Sequence, residues 1–138
     1  MKKWVIFLIL SIGFCITSVS CIKESSTFHW SVMVTNKTES AVYWAFAWPP
    51  NWDLEVPYYG YIEPDFKILP NETKKISILY GANSIEGSVG KMKVFFLDAD
   101  MFDKLSQGPI PAEVVLGSRI YTLEEIRAIN FHFCFPFE

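Results

Sequence analysis

The chain has 138 residues, enough for one domain with one core. Hydrophobic residues make up 51% and aromatics 17%, which excludes the weakly hydrophobic, disordered class. The formal net charge is −3 and no basic cluster lies beyond the first three residues, so nucleic acid is not an expected partner, because that binding depends on neutralising phosphates.

The first 20 residues read as an export signal. Lys2 and Lys3 open the chain, Trp4 to Ile16 is apolar apart from Ser11 and Gly13, and Thr17 to Ser20 is a small-residue exit. A membrane span needs about 20 apolar residues. This run is shorter and ends in small polar residues, which is the pattern of a cleaved signal peptide. Two ways of cutting stay open. Ordinary cleavage uses Ser18 and Ser20 as the small residues, whereas lipoprotein processing makes Cys21 the acylated first residue, with Ser20 before it and Ser18 where such signals usually carry leucine. The polar stretch from Ile22 to Ser26 suits a tether, so residues 21–27 read as a lipidated cysteine with its linker, and residues 28–138 as the domain. Loss of residues 1–20 removes two of 12 basic side chains, leaving 10 against 15 acidic and a net charge of −5. Cys15 leaves with the signal. With Cys21 lipidated, Cys134 stands alone and reads as a small buried hydrophobe between phenylalanines; without lipidation, a Cys21–Cys134 disulfide stays open.

Along the domain, Phe28–Val34 alternates as a half-buried strand and Ala41–Trp48 as a second, with Val42, Trp44, Phe46 and Trp48 on one face. The polar turn 36–40 between them predicts a hairpin. Pro49-Pro50 ends the second strand. Residues 51–66 form a long irregular loop rich in aromatics. In a small domain such a loop serves function or hides a short edge strand. A turn at Pro70-Asn71-Glu72 leads to a third strand over Thr73–Tyr80, and 81–90 is a loop. Lys91–Leu97 is nearly continuous in apolar residues, the mark of a central strand covered on both faces. Asp98–Leu105 turns with a short helical segment, Gly108-Pro109-Ile110-Pro111 breaks it, Ala112–Leu116 is ambiguous, and Gly117-Ser118 reads as a turn. Thr122 and Glu125 form a capping box opening a helix to about Ile129. Phe131–Phe135 closes the chain as a strand before Pro136. The expected fold is mainly β: a small Ig-like β-sandwich with one short C-terminal helix before the last strand.

Several of these segments together, Val94–Lys104, Arg119–Ile129 and Asn130–Pro136, with Ile68–Ile76 upstream, resemble a family of small uncharacterised cell-envelope lipoproteins of Bacteroidetes. The shared features are an apolar strand running into an Asp-Ala-Asp turn, a short acidic helix, and a closing aromatic strand before proline. The resemblance covers about half of the chain beyond the signal. It departs between Leu105 and Val115, where Gly108, Pro109 and Pro111 disfavour the family's helix. It implies a lipid-anchored envelope address and a β-rich fold, and it carries no activity.

Candidate chemistry is sparse. Asp98-Ala99-Asp100 after an apolar strand has the form of the haloacid-dehalogenase signature, in which the first aspartate is a nucleophile and the second a general acid. Here Phe102 stands at the Thr/Val position, and the 38 residues after Asp100 are too few for that doubly wound domain. A calcium loop on Asp98, Asp100 and Asp103 fails because an EF-hand's Gly and Glu positions hold Asp103 and Pro109. An aspartate capping the following helix is the better reading. His29 and His132 have no metal-ligand spacing around them, and no catalytic residue, metal or cofactor is expected. The aromatic loop 48–66 is the best candidate for contact with a ligand, through Trp52, Tyr58, Tyr59 and Tyr61, since exposed rings stack on sugars and proteins alike. The bland alternative puts Trp44, Phe46 and Trp48 in the core. The sequence thus predicts an exported, lipid-anchored envelope protein, with the outer membrane as its expected site and a non-enzymatic binding or structural role. Alternatives are a glycan- or protein-binding module using the loop, and a small hydrolase if a pocket joins a histidine to the Asp98–Asp103 carboxylates.

Overall fold

The computed structural model describes residues 31–47, 54–58, 60, 62–78 and 91–138. The expected signal peptide, Cys21, the tether and residues 28–30 lie outside them. Among the described residues, seven strands form two sheets: β1 (Ser31–Asn36), β2 (Val42–Ala47), β3 (Lys67–Ile68), β4 (Thr73–Ser77), β5 (Lys91–Asp98), β6 (Val115–Thr122) and β7 (His132–Phe135). One sheet has the order β4-β1-β7 and the other β3-β2-β5-β6. Every pairing is antiparallel except β1 with β7, which is parallel. The described residues also form two short α-helices, α1 (Ala99–Phe102) and α2 (Leu123–Ala128). This is the mainly β sandwich expected from the sequence, with α2 as the helix before the last strand.

The inner faces meet through aromatic rings. Trp44 of β2 lies 5.9 Å from Phe133 of β7, centroid to centroid, and Tyr121 of β6 lies 5.2 Å from the same ring. Phe96 of β5 stacks on Phe135 at 4.8 Å. The outer face of the larger sheet is covered too. Tyr43, which points away from Trp44 by strand alternation, packs on Phe102 at 4.7 Å, and its hydroxyl donates to the Asp103 carboxylate at 2.8 Å. All of β2 is therefore buried. In β5 the run Val94–Leu97 is fully buried, as its continuous apolar sequence predicts. Each large apolar side chain so enclosed contributes about 1.5–3 kcal/mol relative to exposure, which makes β5 the centre of the core.

The caps follow the sequence. The Asp98 side chain accepts from the Met101 amide at 2.9 Å and starts α1. At α2, Thr122 Oγ1 accepts from the Glu125 amide at 3.2 Å, while the Glu125 carboxylate accepts from the Thr122 amide at 2.7 Å. After α2, Asn130 and Phe131 both take left-handed backbone angles, φ 52° and 57°, and swing the chain into β7. Burial of the Phe131 ring holds this otherwise costly conformation.

Two expectations fail. β1 and β2 do not form a hairpin, because they lie in different sheets. The connection 37–41 is an arch from one sheet to the other, locked by the buried Asn36. Residues 115–122 form an eight-residue strand, although Gly117-Ser118 reads as a turn. Gly117 pairs with Phe96 of β5, and its lack of a side chain serves ring packing rather than a turn, since a Cβ there would meet the Phe137 ring at 3.2 Å.

Candidate ligand-binding groove

Over the outer face of β2 and β5 lie the described residues Leu54–Tyr58, Gly60 and Ile62 and the segment 99–114, which begins with α1. Lys93 of β5 donates through Nζ to the Leu54 carbonyl at 2.6 Å and pins the first. A 3-10 turn over Pro64–Phe66 follows and carries the chain to the inner side, with Phe66 buried 5.9 Å from Trp44. The second segment is anchored by buried Phe102, Ile110 and Val114. Between them runs an open groove of about 700 Å³, lined by Leu54, Val56, Pro57, Tyr58, Gly60 and Ile62 on one side and Gln107–Ile110 on the other. Its floor is apolar, with Ile62 and Ile110 buried, while Tyr58 is 50% exposed.

Of the four aromatics predicted to contact a ligand, Tyr58 lines this groove, and Trp52, Tyr59 and Tyr61 lie outside the described residues. Trp44 and Phe46 are core, with rings 5.0 Å apart, and Trp48 is outside the described residues. The contribution of Gln107–Ile110 was not legible, since Gly-Pro-Ile-Pro signals only a break in a helix.

The acidic segment is occupied by structure. Asp98 caps α1, and Asp103 accepts from Tyr43 and Lys67. The Lys67 ammonium, then the Tyr43 hydroxyl, hold the Asp103 carboxyl below the usual carboxylate range. Among the described residues, no group of three or more His, Cys, Asp or Glu side chains is placed to hold a metal ion.

A second, smaller cavity of about 170 Å³ opens where β6 and β7 meet α2, lined by Arg119, Tyr121, Glu125, His132, Cys134 and Glu138 among others. Sequence reasoning missed it. The signal available was the i, i+2 spacing of His132 and Cys134 and of Arg119 and Tyr121, which puts each pair on one strand face. That the two strands meet at the sandwich edge is a tertiary fact. His132 Nε2 lies 2.7 Å from Thr35 Oγ1, which is itself 2.7 Å from Thr73 Oγ1, so the imidazole is held by β1 and β4. His132 shares the cavity with Glu125 and Glu138 and not with Asp98, Asp100 or Asp103. Cys134 is half-buried rather than enclosed, and burial pushes its thiol pKa up, which disfavours the thiolate. Comparison with known family models, curated proteins and solved structures gives no match.

Proposed function

We propose that the protein is an exported, lipid-anchored module of the bacterial cell envelope that works by binding rather than catalysis, with its ligand in the Tyr58 groove. The observation that carries this reading is the make-up of the groove: an apolar floor and proline-bearing walls, with Tyr58 the single titratable side chain among its described lining residues. Such a surface supplies contact area and shape, not acid–base or nucleophilic chemistry. An extended protein segment presenting an apolar side chain suits it best. Sugar hydroxyls each require a partner, and Gln107 and Tyr58 are the two polar side chains on the described walls. The exposed Tyr58 ring is what favours the second reading, a glycan stacked on its face. The signal-like residues 1–20, Cys21 with its polar tether, and the resemblance to Bacteroidetes lipoproteins support the address.

Screening the full chain against a displayed peptide library and a glycan array tests the groove. Tyr58→Ala is expected to weaken the selected ligand about tenfold or more. A ligand bound equally well by that variant overturns the assignment. Labelled palmitate entering the wild type and not Cys21→Ala tests the anchor, and equal labelling of both removes it.

A further inference from the structure

Among the described residues, the edge strands β6 and β7 belong to different sheets, so no main-chain ladder joins them and side chains must close the seam. Gly117, Arg119 and Tyr121 share one face of β6 by strand alternation, and Tyr121 looks across the sandwich at Phe133. Residues 136–138 lie over that face. The Phe137 ring fills the space above Gly117, 5.3 Å from Phe96 and 6.4 Å from Tyr121. Glu138 is fastened twice. Its carbonyl accepts from the Arg119 guanidinium at 2.7 Å, and its carboxylate pairs with the Lys37 ammonium in the arch after β1. One residue thus ties the edge of the larger sheet to the connection between sheets, and it forms a wall of the small cavity that holds His132 and Cys134.

The chain on either side of Phe135 is held very unequally. Upstream, β7 is laddered to β1 from Met33 to Asn36, and Phe133 is fully buried. Downstream, Pro136 and Glu138 are exposed, Phe137 is half-buried, and the side chains of the Lys37–Glu138 pair are 47% and 68% exposed. Local opening begins where buried apolar contacts are few and the fastening groups stand in water. We infer that residues 136–138 are a salt-sensitive strap, which opens as a unit while β7 stays paired and controls entry to the aromatic floor around Tyr121 and to the cavity beside it. Closed, the strap leaves Tyr121 only 4% exposed. Open, it uncovers that ring, frees the space over Gly117 and removes the Glu138 wall. Ionic strength sets the balance, because the ion pair is exposed enough for dissolved ions to screen it. The device makes no use of the Tyr58 groove.

The test is hydroxyl-radical labelling of the full chain in mild detergent, read peptide by peptide in a mass spectrometer. The readout is labelling of Tyr121 relative to Phe133, a fully buried ring of β7. Raising the salt is expected to increase that ratio about twofold to fivefold, the range an exposed ion pair supports. Lys37→Ala is expected to give the high-salt ratio at every salt concentration. Phe137→Ala is expected to exceed both; should it fail to fold, Lys37→Ala, at an exposed position, carries the test alone. Dilute urea below the unfolding transition is expected to leave the wild-type ratio flat, because a short strap exposes little surface. A ratio that responds neither to salt nor to Lys37→Ala overturns the strap. So does labelling of Tyr121 and Phe133 that rises in step, since β7 or the whole domain is then what opens.

Discussion

The Asn36 side chain donates to the Ile68 carbonyl at 3.3 Å, joining the end of β1 in one sheet to β3 at the edge of the other. Its amide also reaches the carbonyls of Ser40 at 2.7 Å and Leu69 at 3.2 Å. Its oxygen accepts from the Thr38 amide at 3.0 Å and the Thr38 hydroxyl at 2.7 Å. Asn36 is fully buried, so this one side chain fixes the arch that carries the chain between sheets. Asn36→Ala leaves these groups without their partner and is expected to cost about 2–4 kcal/mol in urea unfolding. Asn36→Asp is expected to cost more at neutral pH, because an ionised carboxylate cannot donate to three carbonyls. Its loss should shrink as the pH falls and the carboxyl protonates. An Asn36→Asp chain as stable as wild type at pH 7 would contradict the role of the amide.

Trp44 carries the opposite situation. Its ring is fully buried among Phe46, Phe66 and Phe133, and its indole N–H has no hydrogen-bond partner among the described residues. Removing the ring should cost about 3–5 kcal/mol, the range for truncating a large aromatic in a core. Removing the orphaned donor alone should recover part of its desolvation penalty of about 1–3 kcal/mol. Trp44→Phe is therefore expected to stay within about 1 kcal/mol of wild type, far from Trp44→Ala, in the same unfolding measurement.

Asp103 predicts a pH dependence. Its carboxyl is held low by Lys67 and then by Tyr43, so the folded state favours the charged form. A depressed folded pKa gives stability that is present above the unfolded pKa and lost as the pH falls through the folded one. Asp103→Asn should therefore melt below wild type at neutral pH, and the two melting temperatures should converge in acid. The Lys67–Asp103 pair is partly exposed, so the gap is expected to be small and to narrow with salt.

Cys134 is expected to alkylate slowly at neutral pH, because burial raises its thiol pKa. Its rate should climb only above the usual thiol range and become ordinary in denaturant. Following the Cys134 peptide by mass spectrometry checks this. Rapid modification in the native chain at pH 7 would overturn the assignment of an inert thiol.

The sequence was most readable where local chemistry settles the structure. Thr122 and Glu125 announce the start of α2, the pair Asp98 and Asp100 announces a cap for α1 without saying which of them makes it, and Val94–Leu97 reads as a strand with two covered faces. It was least readable where the outcome depends on distant residues. A polar turn after an alternating strand looks the same whether it closes a hairpin or crosses between sheets, and only the carbonyls of Ile68 and Leu69 around Asn36 separate the two. Gly117 reads as a turn until Phe137 is seen above it. β3 has two residues, too few for any periodicity. In the candidate groove, Tyr58 was legible as an aromatic in a long loop. The facing wall at Gln107–Ile110 was not, because nothing local says that it folds back towards Leu54–Tyr58, Gly60 and Ile62.

The parallel pairing of β1 with β7 sets when the domain can be finished. Met33 is matched with His132, 99 positions later. Until residues 132–135 leave the ribosome, β1 lacks one neighbour and Trp44 lacks the Phe133 ring above it. A nascent chain that stops short of β7 therefore cannot complete its smaller sheet, and a chain stalled before residue 132 exposes an unpaired strand beside an uncovered aromatic core, a combination prone to aggregation.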